Sequence, residues 1–176
     1  EHLEKHVTLL SMPVGSLDGL VNLRQGLCQI SGSHLLDVTG EYNTPFVRHL
    51  FPDREVEIVT LAYRTQGLIL ASGNPKDIKK ISDIARPSIR FVNRNAGSGT
   101  RLWFDSELRK LKIPTEKING YDQVVKTHSD AASAIQSGRA DAALGLQAAA
   151  HQQGLDFIPL FEERYDLVLP RENEKT

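Results

Sequence analysis

Cysteine, methionine and tryptophan each occur once in the 176 residues, and aromatic residues make up only 6%. The lone Cys28 excludes an internal disulfide and any zinc cluster built on several thiolates. No uninterrupted apolar run is long enough to span a bilayer. Neither sign of charge dominates, since 21 Lys+Arg stand against 22 Asp+Glu for a net charge of -1. That balance argues against non-specific attachment to a nucleic-acid backbone. The sequence also lacks an H-E-x-x-H pair, a Walker lysine and a G-x-S-x-G elbow around Ser98, and Leu102 stands where a dinucleotide fingerprint needs its third glycine. What is present is 40% hydrophobic and 24% charged residues, a composition too apolar for a disordered chain. A chain of this length buries roughly 70% of its unfolded surface, so it folds without staples as one domain or two small lobes.

Read along the chain, Glu1 to His6 resembles the end of an amphipathic helix without its cap. Val7 to Val14 is a β-rich apolar run and predicts a buried strand. Leu17, Leu20, Val21 and Leu23 follow at helical spacing up to Gly26. Cys28 to Ile30 predicts a short strand, Thr39 to Pro45 a loop and Phe46 to Leu50 a short helix. Val56 to Leu61, Leu68 to Ala71 and Ile89 to Asn93 read as strands, with a short helix over Ile78 to Ile84. A clear helix is expected from about Thr100 to Leu111, with Leu102, Trp103, Leu108 and Leu111 as its apolar stripe. Beyond it come a strand at Val124-Val125, a helix over Asp130 to Gln136 capped by Ser129, and a strand over Ala140 to Leu144. A helix at Ala148 to Gln153, strands at Phe157 to Leu160 and Tyr165 to Leu169, and a charged tail from Arg171 complete the order. This alternation predicts a parallel sheet with helices on its faces.

One pattern occurs twice. Leu23 to Ile30 (LRQGLCQI) and Ile135 to Ala142 (IQSGRADA) both read as a helix end, a glycine and then a strand. Val14-Gly15-Ser16 and Ala96-Gly97-Ser98 both close one element and open a helix. Such a corner has chemical meaning. The first amides of a helix lack intrahelical partners, and the helix dipole adds partial positive charge there. A glycine lets a bound group approach the backbone, and a Ser or Thr hydroxyl adds a donor, so the corner suits an anion. Two lobes facing each other would bring both corners to one cleft.

Asn93 to Asp105 (NRNAGSGTRLWFD), together with GSLDGL at Gly15, HLLDVTGEYNTP at His34, SGRADAALG at Ser137 and LFEERYDLVLP at Leu160, resembles the type II periplasmic-binding-protein superfamily. The nearest group is the molybdopterin-biosynthesis/LysR-type substrate-binding domains, related to molybdate- and tungstate-binding proteins. The resemblance implies an α/β fold of two lobes with a ligand cleft between them. It assigns residues 1–62 to lobe I, 63–160 to lobe II and 161–176 to the return crossover strand and tail. Val56 to Ala71 would carry the chain out and Phe161 to Leu169 would bring it back. The family's opening strand and Ser-containing corner are not found, so the N-terminal strand and helix are expected to be incomplete. Members are often fused to a helix-turn-helix segment as cytoplasmic sensors, which makes the cytoplasm the expected location; others are secreted after loss of a signal peptide. This segment holds no helix-turn-helix of its own, so any DNA contact would come from a fused segment outside it, and a homodimer is compatible with the reading.

The expected ligand-binding residues are Ser16, His34, Tyr42, Ser98, Gly99, Thr100, Arg101, His128 and Ser129, with no metal, no cofactor and no catalytic group. Each has a plainer reading as well. Ser16 would serve equally as a helix cap. Arg101 either reaches the ligand or pairs with Asp105 one turn on. His34, Asp37, Tyr42 and Asn43 either line the cleft or brace a loop. Gly145 and Gln147 follow a strand end that approaches the same place. Trp103 and Phe104 read as core, and Glu162, Glu163 and Arg164 as hinge or surface charges. Donors made of amides and hydroxyls, with no firm carboxylate among them, suit a fully deprotonated tetrahedral oxyanion such as molybdate or tungstate. A pterin-type or carboxylate anion is the alternative. A two-lobed enzyme and a structural dimerisation domain with an empty cleft are the competing classes.

Overall fold

The computed structural model describes residues 8–37 and 39–171. Strict alternation builds its larger half. In β2 (Val56–Leu70), Leu68 and Leu70 pack into one core while Ile69 packs into another. In β3 (Phe91–Arg94) and β5 (Ala142–Leu146), Phe91, Ala142 and Leu144 join the first core, and Val92 and Ala143 the second. A strand whose neighbours point to opposite faces must be covered on both when all of them are apolar. Helix α3 (Gly99–Lys110) covers one face through Phe104 and Leu108. The other face is covered by α4 (His128–Gln136) and α5 (Gln147–Gln152), whose alanines allow close packing. The smaller half holds a third core, in which Leu20 and Leu23 of α1 (Ser16–Arg24) and Val47 of α2 (Thr44–Leu50) meet Leu35, Phe51 and Val168.

One six-stranded sheet runs through both halves in the order β1-β6-β2-β5-β3-β4, with β1 at Ser31–Ser33, β4 at Val124–Val125 and β6 at Asp156–Pro170. β3 is parallel to β4 and β5, and the other pairs are antiparallel, so the sheet is mixed rather than parallel. The cause is the pair of 15-residue strands β2 and β6, which run side by side along their whole length and serve both halves. The local pattern predicts four separate short strands there, while the resemblance gives Val56 to Ala71 and Phe161 to Leu169 as the crossing segments. The polar stretches between them hid the continuity, because those polar side chains face a site instead of solvent.

Other boundaries moved for local reasons. Residues 8–14 form no strand, and Leu9, Leu10 and Met12 are more than 70% exposed, because no neighbouring strand pairs with them. The first short strand is Ser31–Ser33, three residues beyond the expected one, since it is the Ser-Gly-Ser segment that lies against β6. Ile81–Ala85 is a 3-10 turn rather than an α-helix. On α3 the buried residues are Thr100, Arg101, Phe104 and Leu108, while Leu102 and Leu111 of the expected stripe are exposed. The expected helix end at Glu1 to His6, together with Val7 and the tail beyond Arg171, lies outside the described residues. Gly26 and Gly138, the two glycines of the repeated pattern, both have left-handed backbone (φ 74° and 71°), as helix-terminating glycines do.

Candidate functional site at the meeting of two helix corners

Helices α1 and α3 open towards each other. A Cβ placed on Gly15 would lie 3.5 Å from the Gly97 carbonyl oxygen, so the two glycine corners are in near contact. His34 ties them together. Its backbone N–H donates to Ser16 Oγ at 3.2 Å, and its ring lies against Gly99, where a Cβ would come within 2.9 Å of Nδ1. The absence of a side chain at Gly99 is what lets the imidazole sit there. Ser98 caps α3 by accepting from the Arg101 N–H at 3.2 Å, and Thr100 donates to Gln66 Oε1 at 2.8 Å. Ser16, Ser98 and Thr100 are all buried.

The crossing strands supply the floor. Two irregularities in the β2–β6 register, at Thr60/Ala62 and at Gln66/Gly67, set off a short stretch in which Arg64 lies directly opposite Glu163. Pro159 opposes Gly67 at the second irregularity, a place where a residue without an N–H is tolerated. Side chains two apart share a face, so Arg64, Gln66, Glu163 and Tyr165 project together. Glu163 is only 3% exposed, and its carboxylate takes contacts from the Arg64 guanidinium, from Gln66 Nε2 at 2.5 Å and from His34 Nδ1 at 3.1 Å. The histidine contact is at ion-pair distance but lacks hydrogen-bond alignment. Burial alone would push the Glu163 carboxyl up, but His34, Arg64 and Gln66 outweigh it and hold the group below its ordinary value. Arg64 also stacks on Tyr165, with its guanidinium carbon 4.0 Å from the ring centre.

The opposite wall is Arg94, the last residue of β3, and His128, the first of α4. Arg94 donates to His128 Nδ1 at 2.8 Å and to the Lys126 carbonyl at 2.8 Å. Burial, reinforced by the Arg94 charge, pushes His128 down to about 3, so the ring is neutral near pH 7. With Nδ1 accepting from an arginine, the ring proton belongs on Nε2, which makes His128 a fixed donor. Glu163 opposes that shift and Arg64 adds to it.

Several residues fall elsewhere than the sequence suggested. Glu163 is no surface charge but the centre of the cluster, and Arg164 neutralises the fully buried Asp166 at 2.9 Å. Arg101 turns from the corner to Asp105 at 3.0 Å and covers the Tyr121 ring. Ser129 is exposed and is not the cap of α4; Thr127 is, in a reciprocal box with Asp130. The Tyr42 hydroxyl donates to the Glu162 carbonyl at 3.2 Å. Asn43 is fully buried with φ 57° and braces Ser33, Leu35 and Asp166. Asp37 is spent on its own loop, where the Glu41 and Thr39 donors hold its carboxyl below the usual range. Gly145 packs beside His128. Sequence reasoning missed Arg64, Gln66, Arg94 and Glu163. Their one signal was the set of polar residues interrupting otherwise apolar strands. Among the described residues no cluster of three or more His, Cys, Asp or Glu could hold a metal, and no helix is long and apolar enough to cross a membrane.

Two halves joined by paired crossing strands, with helix openings converging between them, define the two-lobed type II periplasmic-binding-protein fold. The chain belongs to the PBP superfamily domain family, whose profile matches residues 1–176. It is 40% identical over 178 residues to YvgK, an uncharacterised Bacillus subtilis (strain 168) protein, in an alignment covering 99% of this chain and 58% of YvgK. The chain therefore spans a little over half of that relative's length. Solved structures with the same fold include the shikimate-bound effector-binding domain of QuiR (TM-score 0.61, 11% identity, 93% of this chain and 72% of that one). A Clostridium perfringens putative phosphate-transporter substrate-binding protein with bound phosphate matches at TM-score 0.58 and 16% identity, covering 90% of this chain and 72% of that one. The holo arginine-binding protein of T. maritima matches at TM-score 0.57 and 16% identity, covering 94% and 65%. At 11–16% identity these likenesses show that this chain shares their fold.

Proposed function

We propose that the chain binds a small organic anion between the α1 and α3 openings and that it works as a sensing or receptor module without turnover. The observation that carries this reading is the convergence of both corners on His34, through Ser16 on one side and Gly99 on the other. The Ser98 hydroxyl and the first-turn amides of Gly99 and Thr100 offer donors, and His128 adds one that does not depend on pH near neutrality. Asp18 in the first turn of α1 disfavours an anion at that helix, so the negative group belongs nearer α3. The preference for molybdate or tungstate rested on a site free of carboxylates. Glu163 removes that premise and favours a ligand that also carries N–H or O–H groups. No nucleophile with a paired base stands among these residues, which supports binding over catalysis.

A thermal-shift screen tests this, with amino acids, hydroxy- and ring carboxylates, phosphate, molybdate and tungstate as arms. An organic anion should raise the midpoint in proportion to the logarithm of its concentration above Kd. A response confined to molybdate and tungstate would restore the oxyanion reading. No response to any arm would overturn anion binding.

A further inference from the structure

Resting on that reading, we propose that Arg94 carries the ligand's charge and that the cleft selects a single negative charge over two. Arg94 is 8% exposed, and among the described residues its side chain makes no ion pair. Its partners are a neutral ring and a carbonyl, and its Nε is buried without any partner. The other buried or half-buried arginines around the cleft have carboxylates in contact: Arg64 has Glu163, Arg101 has Asp105 and Arg164 has Asp166. A desolvated guanidinium without a counter-ion is costly unless something else supplies the charge. Arg94 ends β3 immediately before the Asn95 to Thr100 corner, so its charge and the α3 amides serve the same place.

The charge balance limits what fits. Glu163 lies opposite Arg64 in the strand register, so that pair is set by the fold and cancels one of the two guanidinium charges. His128 adds no charge near neutrality. Asp18 in the first turn of α1 opposes a second negative charge, and Asp130 in the first turn of α4, without contacting Arg94, already offsets part of its charge. One cation remains for one anion.

Two matched pairs isolate charge from shape: perrhenate against tungstate, both tetrahedral, and butyrate against succinate, both four-carbon. Calorimetric titration of the chain at pH 8.5, where imidazoles carry no charge, should give a Kd at least tenfold lower for the monoanion in each pair that binds. Arg94→Gln should weaken the monoanion at least tenfold. Arg94→Lys, used if the glutamine variant does not fold, should keep the order within each pair at reduced affinity, because an ammonium lacks the planar fork. Tighter binding of tungstate or succinate, or an Arg94→Gln affinity equal to the parent's, overturns this inference and leaves the cleft reading intact. If none of the four probes binds while the wider screen finds a ligand, an affinity of Arg94→Gln for that ligand within tenfold of the parent's overturns the inference alone; if the screen is also silent, both fail together.

Discussion

Glu163 shows how much one buried carboxylate can organise. It joins β6 to β2 through Arg64 and Gln66, and to the α1 side through His34. Glu163→Gln should cost about 3 kcal/mol in chemical denaturation, since it leaves the Arg64 charge without its partner. A cost within 0.5 kcal/mol of zero would show that the pair contributes little. His128 makes a pH prediction of definite sign. Its folded-state pKa of about 3 lies below the ordinary imidazole value of 6.5, so below that pH the unfolded chain binds a proton that the folded chain refuses. Stability should therefore fall as pH drops from about 6.5 towards 3. The depressed Glu163 adds a further loss within the carboxylate range as pH falls. In His128→Gln the amide oxygen can still accept from Arg94, and the decline between about pH 6 and 5 should flatten by several tenths of a kcal/mol or more. An unchanged slope in a pH series of urea melts would mean that His128 titrates normally.

At the scale of elements, two helices carry side-chain caps with different duties. Ser98 caps α3 inside the site, and Thr127 caps α4 with Asp130 on the exterior. Replacing either by alanine should cost about 1 kcal/mol of stability. Only Ser98→Ala should also weaken anion binding, by about tenfold, as read by titration. Equal binding losses in both variants would reduce Ser98 to a cap. Local chemistry made α3, α4 and the glycine stops at Gly26 and Gly138 legible in the sequence, because caps and left-handed glycines act over a few residues. The long strands were not legible. Arg64, Gln66 and Glu163 break the apolar pattern that marks a buried strand, and only their mutual pairing makes burial affordable. Residues 8–14 failed in the opposite sense, since an apolar run becomes a strand only when a neighbour offers hydrogen bonds.

For the whole molecule, the fold offers its own reporter. Trp103 is the only tryptophan, and it sits on α3 one turn from the corner, stacked on Phe161 of β6 with ring centres 4.1 Å apart. A ligand that moves the α3 side relative to the crossing strands must disturb that stack. Saturating ligand should shift or quench Trp103 emission in proportion to occupancy, and Phe161→Leu should change the starting spectrum. Binding seen by calorimetry with a silent Trp103 would mean that the site is filled without relative movement of these elements. By itself the sequence determined the α/β class, the two glycine-serine corners and most helix starts, because each is decided by hydrogen bonding within a few residues of chain. Only the tertiary structure decided which charges meet: Glu163 with Arg64 from strands 99 residues apart, and Arg94 with His128 and, among the described residues, no carboxylate in contact. A charge's value depends on the groups that replace its water, and those come from parts of the chain that spacing alone does not connect.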